Sequence, residues 1–167
     1  MEKCKFLGFI DLGNKVMVSD PCYSIGIWCQ GTIDNVVSGT YGCYISEGDT
    51  DRGHRIKELF ITKSDRSISR DQIDTFMDFE VGVDSGTAGI FDYDYYEKFH
   101  KDSRDDAFEA WFDKYIIKDR PDYRITSNSG VWSRSGYGDG GYDCFAHIDE
   151  DKKVDAIRII FINDTVL

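Results

Sequence analysis

The 167-residue sequence predicts an α+β domain: a mostly antiparallel β core, sandwich or open-barrel-like, with two or three helices inserted in the middle third. Three observations predict it. Short apolar runs separated by turn residues fill both ends of the chain. Helix-period patterns with capping residues are confined to the middle. The content of 41% hydrophobic and 14% aromatic residues is enough for one core, so residues 1–167 are read as a single domain.

In order along the chain, residues 5–10 and 15–18 are short strand patterns separated by Asp11-Leu12-Gly13-Asn14, a turn-type sequence. Asp20-Pro21 ends the second, because proline has no N–H for a ladder. Residues 40–46 and 55–62 flank the polar stretch 47–53 and predict a hairpin. Three helices are expected next. The first spans residues 69–77, with Ser69 and Gln72 as a capping box and Ile68 and Ile73 at staple positions. The second spans 92–100, capped by Asp92, with Phe91 reaching Tyr96. The strongest spans 103–118, where Phe108, Trp111, Phe112 and Tyr115 fall on one face and Pro121 stops the helix. Residues 79–83 form a strand pattern before Asp84. Residues 130–134, 142–148 and 153–162 complete the strands; 156–162 is nearly all apolar except Arg158, as in a strand covered on both faces. Residues 5–62 and 130–162 are expected to pack together, with the 104–118 helix across them. One internal echo is visible: Gly39-Thr40-Tyr41-Gly42-Cys43-Tyr44 resembles Gly140-Gly141-Tyr142-Asp143-Cys144-Phe145.

Charge narrows the classes of function. There are 31 acidic and 20 basic residues, a net charge of −11. Direct nucleic-acid binding and docking on an anionic membrane are disfavoured, since both need clustered Lys and Arg. No apolar run is long enough to span a bilayer, and the N-terminal residues lack a signal-peptide pattern. Five scattered cysteines fit free thiols in a reducing, cytoplasmic setting. The acidic excess lies mainly in residues 65–124, which hold 16 acids and 9 bases. Interleaved with tyrosines, Asp92, Asp94, Tyr95, Glu97, Asp102, Asp105 and Asp106 form a candidate face for a basic partner protein. A solvated helical face accounts for the same residues.

Candidate chemistry falls on four short stretches. Cys22, in Asp20-Pro21-Cys22-Tyr23, is a nucleophile only if His54 or His147 reaches it. Asp84-Ser85-Gly86-Thr87 places a carboxylate and a hydroxyl at a strand end. Gly136-Tyr137-Gly138-Asp139-Gly140-Gly141 lacks the lysine and hydroxyl of a phosphate loop and precedes a strand, but it sets Asp139 beside Asp84 if the two loops are neighbours. Trp132, Arg134 and Tyr137 offer stacking and charge for a nucleotide. No cysteine or histidine spacing fits a metal site, so no metal and no cofactor are expected.

The order Val18-Ser19-Asp20-Pro21-Cys22-Tyr23, Gly39-Thr40-Tyr41, 83–92 and Gly138-Asp139-Gly140-Gly141-Tyr142 is similar to a family of bacterial and phage proteins defined by a domain of unknown function. The resemblance covers residues 15–162 and is weakest over 98–124. It implies a mostly-β fold and a bacterial or phage source, and it transfers no catalytic residue. By analogy, a phage source points to inhibition of a host defence protein. The leading expectation is a non-enzymatic, acidic binding protein that meets a basic host protein. The alternatives are a small hydrolase using Asp84, Ser85 and Asp139, and a nucleotide sponge using Trp132, Arg134 and Tyr137.

Overall fold

The computed structural model describes residues 3–163. Among the described residues, eleven strands form two antiparallel sheets that pack face to face. The strands are β1 (Lys3–Leu12), β2 (Val16–Ser19), β3 (Gly31–Ile33), β4 (Gly39–Thr50), β5 (Gly53–Lys63), β6 (Thr75–Val83), β7 (Thr87–Asp92), β8 (Tyr123–Thr126), β9 (Gly130–Arg134), β10 (Gly140–Ile148) and β11 (Val154–Ile160). The larger sheet has the order β1-β4-β5-β11-β10-β6, and the smaller one β3-β2-β7-β9-β8. Helices α1 (Tyr93–His100) and α2 (Asp106–Phe112) lie between β7 and β8 in the chain. The predicted β-rich α+β architecture is the one observed.

Alternation explains the layers. Ile10, Tyr41, Cys43, Ile45, Leu59, Ile61, Ile157 and Ile159 of the larger sheet meet Val16, Val18, Ala88, Ile90 and Val131 of the smaller in one core. The opposite face of the smaller sheet sends Met17, Phe91 and Trp132 against Tyr96, Trp111 and Ile116 of the helical layer. Both faces of β2 and β7 are therefore covered. On the far side of the larger sheet, Ile73 and Ile68 from residues 64–74 pack on Phe60, Ala156 and Phe145.

Two helix expectations are corrected. The 69–77 helix is only a single 3-10 turn, Arg70–Gln72, followed by β6. The capping contact forms, with Ser69 N donating to Gln72 Oε1 at 2.7 Å. Pairing with β10 then takes over: Val81 and Val83 face the core while Phe76, Asp78 and Glu80 alternate outward. The 103–118 helix is regular only over Asp106–Phe112 and widens into a π turn over Asp113–Ile117. Lys118 N bonds to Asp113 O at 2.9 Å, and the wider turn brings Ile116 onto the buried face beside Trp111 in place of Tyr115. The predicted hairpin over 40–62 is longer than read, because β4 and β5 run through the polar stretch to a tip at Asp51-Arg52.

The echo between residues 39–44 and 140–145 belongs to a larger internal repeat. β1, β2, β3, β4 and β5 correspond in order and sheet position to β6, β7, β9, β10 and β11, with α1, α2 and β8 inserted between β7 and β9. The approximate two-fold axis passes between β5 and β11 in one sheet and between β2 and β7 in the other. Matching residues make matching bonds. Tyr41 and Tyr142, on β4 and β10, each donate the hydroxyl to a carbonyl four residues upstream, those of Val37 and Gly138. Asp20 after β2 accepts from Asp84 N at 2.7 Å, and Asp92 at the end of β7 accepts from Gly13 N at 2.8 Å. Each half thus clasps the turn that follows the other half's first strand.

Candidate functional site

Three of the sequence stretches converge at one end of the sandwich. Asp20 lies at the end of β2, and its carboxylate accepts from Cys22 N at 2.8 Å, Asp84 N and Ser85 N at 2.7 Å each, and Ser85 Oγ at 2.8 Å. Gly86 O accepts from Ser135 N at 3.0 Å, and Val83 pairs with Gly140. Asp84 and Asp139 consequently sit on adjacent loops. Asp139 is exposed, whereas the Asp84-Ser85 backbone is bound to Asp20.

At this junction the Ser85 hydroxyl is held in structural bonds, while the Asp84 and Asp139 side chains are exposed. Ser85 Oγ is shared between Asp20 and Thr87 Oγ1, the latter at 2.6 Å. Burial, then the charge of Asp20, pushes the Cys22 thiol well above the ordinary thiol range. None of the histidines bonds to Ser85 or Cys22. His54 contacts Glu47 and Asp49. His100 Nδ1 and Nε2 lie 2.9 Å from Tyr96 O and Pro21 O. His147 Nδ1 lies 2.6 Å from Asp155. The histidines thus stand apart from Ser85 and Cys22, and the carboxylate within reach of Ser85 Oγ is Asp20, which also accepts from three backbone N–H groups.

Beside Gly86 the two sheets part into a cleft of about 370 Å³. One wall comes from β1, β4 and β5: Lys5, Ile45, Glu47, His54, Arg55 and Ile56. The other comes from Gly86, Asp122, Tyr123, Arg134 and the Gly136-Tyr137-Gly138 turn. Lys5 Nζ lies 4.9 Å from the Tyr123 ring centre, and Tyr123 with neighbouring acids raises its pKa. Arg134 Nε bonds to Asp122 at 3.1 Å, an exposed pair. The guanidinium of Arg52, at the hairpin tip, stands 5.1 Å over the ring of Tyr137. Hydrogen bonds to Glu47, then Asp49, raise the pKa of His54 above the ordinary imidazole value. A second depression, about 480 Å³ and more open to solvent, lies by Arg66, His147, Asp149 and Asp155. Its Arg66 is held by Asp149 at 2.8 Å and Asp155 at 2.9 Å, which leaves an acidic rim.

Of the predicted nucleotide set, Arg134 and Tyr137 line the cleft, and Trp132 does not. Trp132 is 1% exposed and donates Nε1–H to Tyr115 O at 3.0 Å, so both its faces serve the core under the helices. Trp132 lies within that layer, whereas Arg134, the last residue of β9, is exposed and paired with Asp122. Lys5 and Arg55 carry no local signal, being remote in the chain and part of ordinary strand patterns, and His54, a candidate base for Cys22 in the sequence, lies instead in this cleft.

The candidate partner-binding residues are dispersed in role. Asp92 caps α1 through Tyr95 N at 3.2 Å and also clasps Gly13. The Tyr95 hydroxyl accepts from Trp111 Nε1 at 2.7 Å. Asp102 is bound by Arg104 through two nitrogens, at 3.1 and 3.0 Å. Asp94, Asp105 and Asp106 are exposed, and Glu97 is half-buried.

All five cysteines are free thiols. Among the described residues, no group of three or more His, Cys, Asp or Glu is placed to hold a metal, and no helix is long and apolar enough to cross a membrane. No family model, curated protein or solved structure matches the chain.

Proposed function

We propose that the chain is a non-enzymatic binding protein whose ligand, a small molecule, occupies the cleft between β1-β4-β5 and the 134–138 segment. The observation that carries this reading is a contrast. The Ser85 hydroxyl is held by Asp20 and Thr87, while the cleft beside it stays open and gathers Lys5, Arg55 and Arg134 with Glu47 and Asp122 in a chain of net charge −11. Its volume is in the range of pockets that hold small ligands.

The test is to recover the protein from bacterial lysate, release bound small molecules and identify them by mass spectrometry. The wild-type chain is expected to carry a stoichiometric small molecule that an R55E/R134E variant of unchanged melting temperature lacks. Recovery of both proteins without any bound compound counts against the reading.

A second reading is favoured by the exposure of Asp94, Asp105 and Asp106 on the helical layer. There the chain meets a basic protein partner, and a phage origin with inhibition of a host defence protein belongs to this reading. Binding of that kind weakens steeply with salt. Salt-insensitive capture of a partner would count against it.

A further inference from the structure

The internal two-fold shows where the cleft comes from. Each half crosses from the smaller sheet back to the larger through one short segment, residues 34–38 in the first half and 135–139 in the second. The two crossings start alike: Val36 N donates to Asn14 O, and Ser135 N donates to Gly86 O, both at 3.0 Å. Then they diverge. The first crossing seals onto β11, with Val37 N bonded to Val154 O and Val154 N bonded to Asn35 O, both at 2.8 Å, and the Val36 side chain buried. The second turns back on itself, Gly138 N bonding to Ser135 O at 3.0 Å, with Gly136 and Gly138 at φ 61° and 115°. These left-handed conformations suit glycine and lift the turn away from β5. Ile56, which corresponds to Val154, is left lining the cleft. One seam of a two-fold fold is closed by protein, and the matching seam stays open.

The lining of the open seam sets the chemistry of its occupant. Lys5, Arg55 and Arg134 outnumber Glu47 and Asp122, and His54 is bonded to Glu47 and Asp49. The Arg134–Asp122 pair is exposed on both sides, 48% and 73%. Exposed pairs of this kind contribute little, so an anionic ligand displaces Asp122 at small cost and gains a guanidinium fork. Tyr137 is 48% exposed and stacked under Arg52, an aromatic–guanidinium pair suited to a planar ring.

We infer that the open seam binds a nucleoside phosphate, its base against Tyr137 and its phosphate among Lys5, Arg55 and Arg134. This rests on the reading of the cleft as a ligand site and adds the ligand's class. The experiment is calorimetric titration of the full chain at low ionic strength with AMP, ADP, adenosine and inorganic phosphate. AMP or ADP is expected to bind at least about tenfold more tightly than adenosine or phosphate, because only they engage both ends of the cleft. Arg134→Ala and Tyr137→Ala each weaken that binding about tenfold or more with circular dichroism unchanged, and Lys101→Ala, on the exposed end of α1, leaves it unaltered. Absence of AMP and ADP binding at millimolar concentration overturns the ligand class. If the lysate experiment still yields a cleft-dependent compound, the cleft reading survives that failure. Binding that persists in R55E/R134E overturns the placement in the cleft.

Discussion

Asp20 is fully enclosed, yet its carboxylate makes four hydrogen bonds, two of them to the backbone of the opposite half. A buried charge is tolerated only with such compensation. Asp20→Asn keeps the volume but turns an amide N–H₂ toward groups that are already donors. We expect a loss of about 3 kcal/mol in urea unfolding, read thermally as roughly 6–12 °C for a chain of this size. An unchanged midpoint would remove Asp20 from its role as the clasp. His100 provides a second expectation. It is enclosed, stacked on Tyr96 at 3.6 Å, and burial depresses its pKa to about 4 against weaker pulls from the carbonyls of Tyr96 and Pro21. The unfolded chain therefore takes up a proton near pH 6.5 that the folded chain refuses until about pH 4. Stability is expected to fall as pH drops through that window, and His100→Phe should flatten this part of the profile in denaturant titrations. A parallel decline in both proteins would assign the effect to other groups. Sequence reading found Asp20 only as a turn residue, because its partners Asp84 and Ser85 are distant in the chain.

The outer face of β7 depends on an absence of side chains. A Cβ on Gly89 would lie 2.5 Å from the Phe91 ring and 2.7 Å from Val131 O. Phe91 folds back over the sheet there to meet Tyr96 and Trp111. Gly89→Ala is therefore expected to cost about 2 kcal/mol, and adding Phe91→Leu should not restore it fully, because the carbonyl contact lies in the ladder to β9. Full stability of Gly89→Ala alone would contradict this packing. At the scale of elements the hairpins were legible, since apolar runs joined by polar turns mark β4-β5 and β10-β11. β3, β7 and β8 were not. β3 has three residues, β7 is buried throughout and lacks alternation, and β8 follows directly on the helical segment. The failed helix at 69–77 shows tertiary pairing overriding a correct capping signal.

The whole molecule is a repeat whose halves share both sheets. β5 pairs with β11 and β2 with β7, so neither half owns a complete sheet or core. The chain is expected to unfold in one calorimetric transition with matching van't Hoff and calorimetric enthalpies, and residues 1–73 alone should not fold. Two resolved transitions would contradict the shared core. The short echo between 39–44 and 140–145 made part of this repeat legible. The rest was hidden because it lies in strand order and in the reciprocal bonds of Asp20 and Asp92 rather than in residue identity. The cleft was half legible for the same reason: Arg134 and Tyr137 announce themselves locally, but Lys5, His54 and Arg55 join them only through the two-fold arrangement of sheets.

The most direct test of the cleft as the working surface is backbone amide NMR of the protein, recorded without ligand and with the compound recovered from lysate. Shift changes are expected to cluster at Arg55, Ile56, Gly86, Arg134 and Tyr137, with the helical layer unmoved. Changes confined to the exposed residues around Asp94, Asp105 and Asp106 would contradict it and transfer the function to the acidic face.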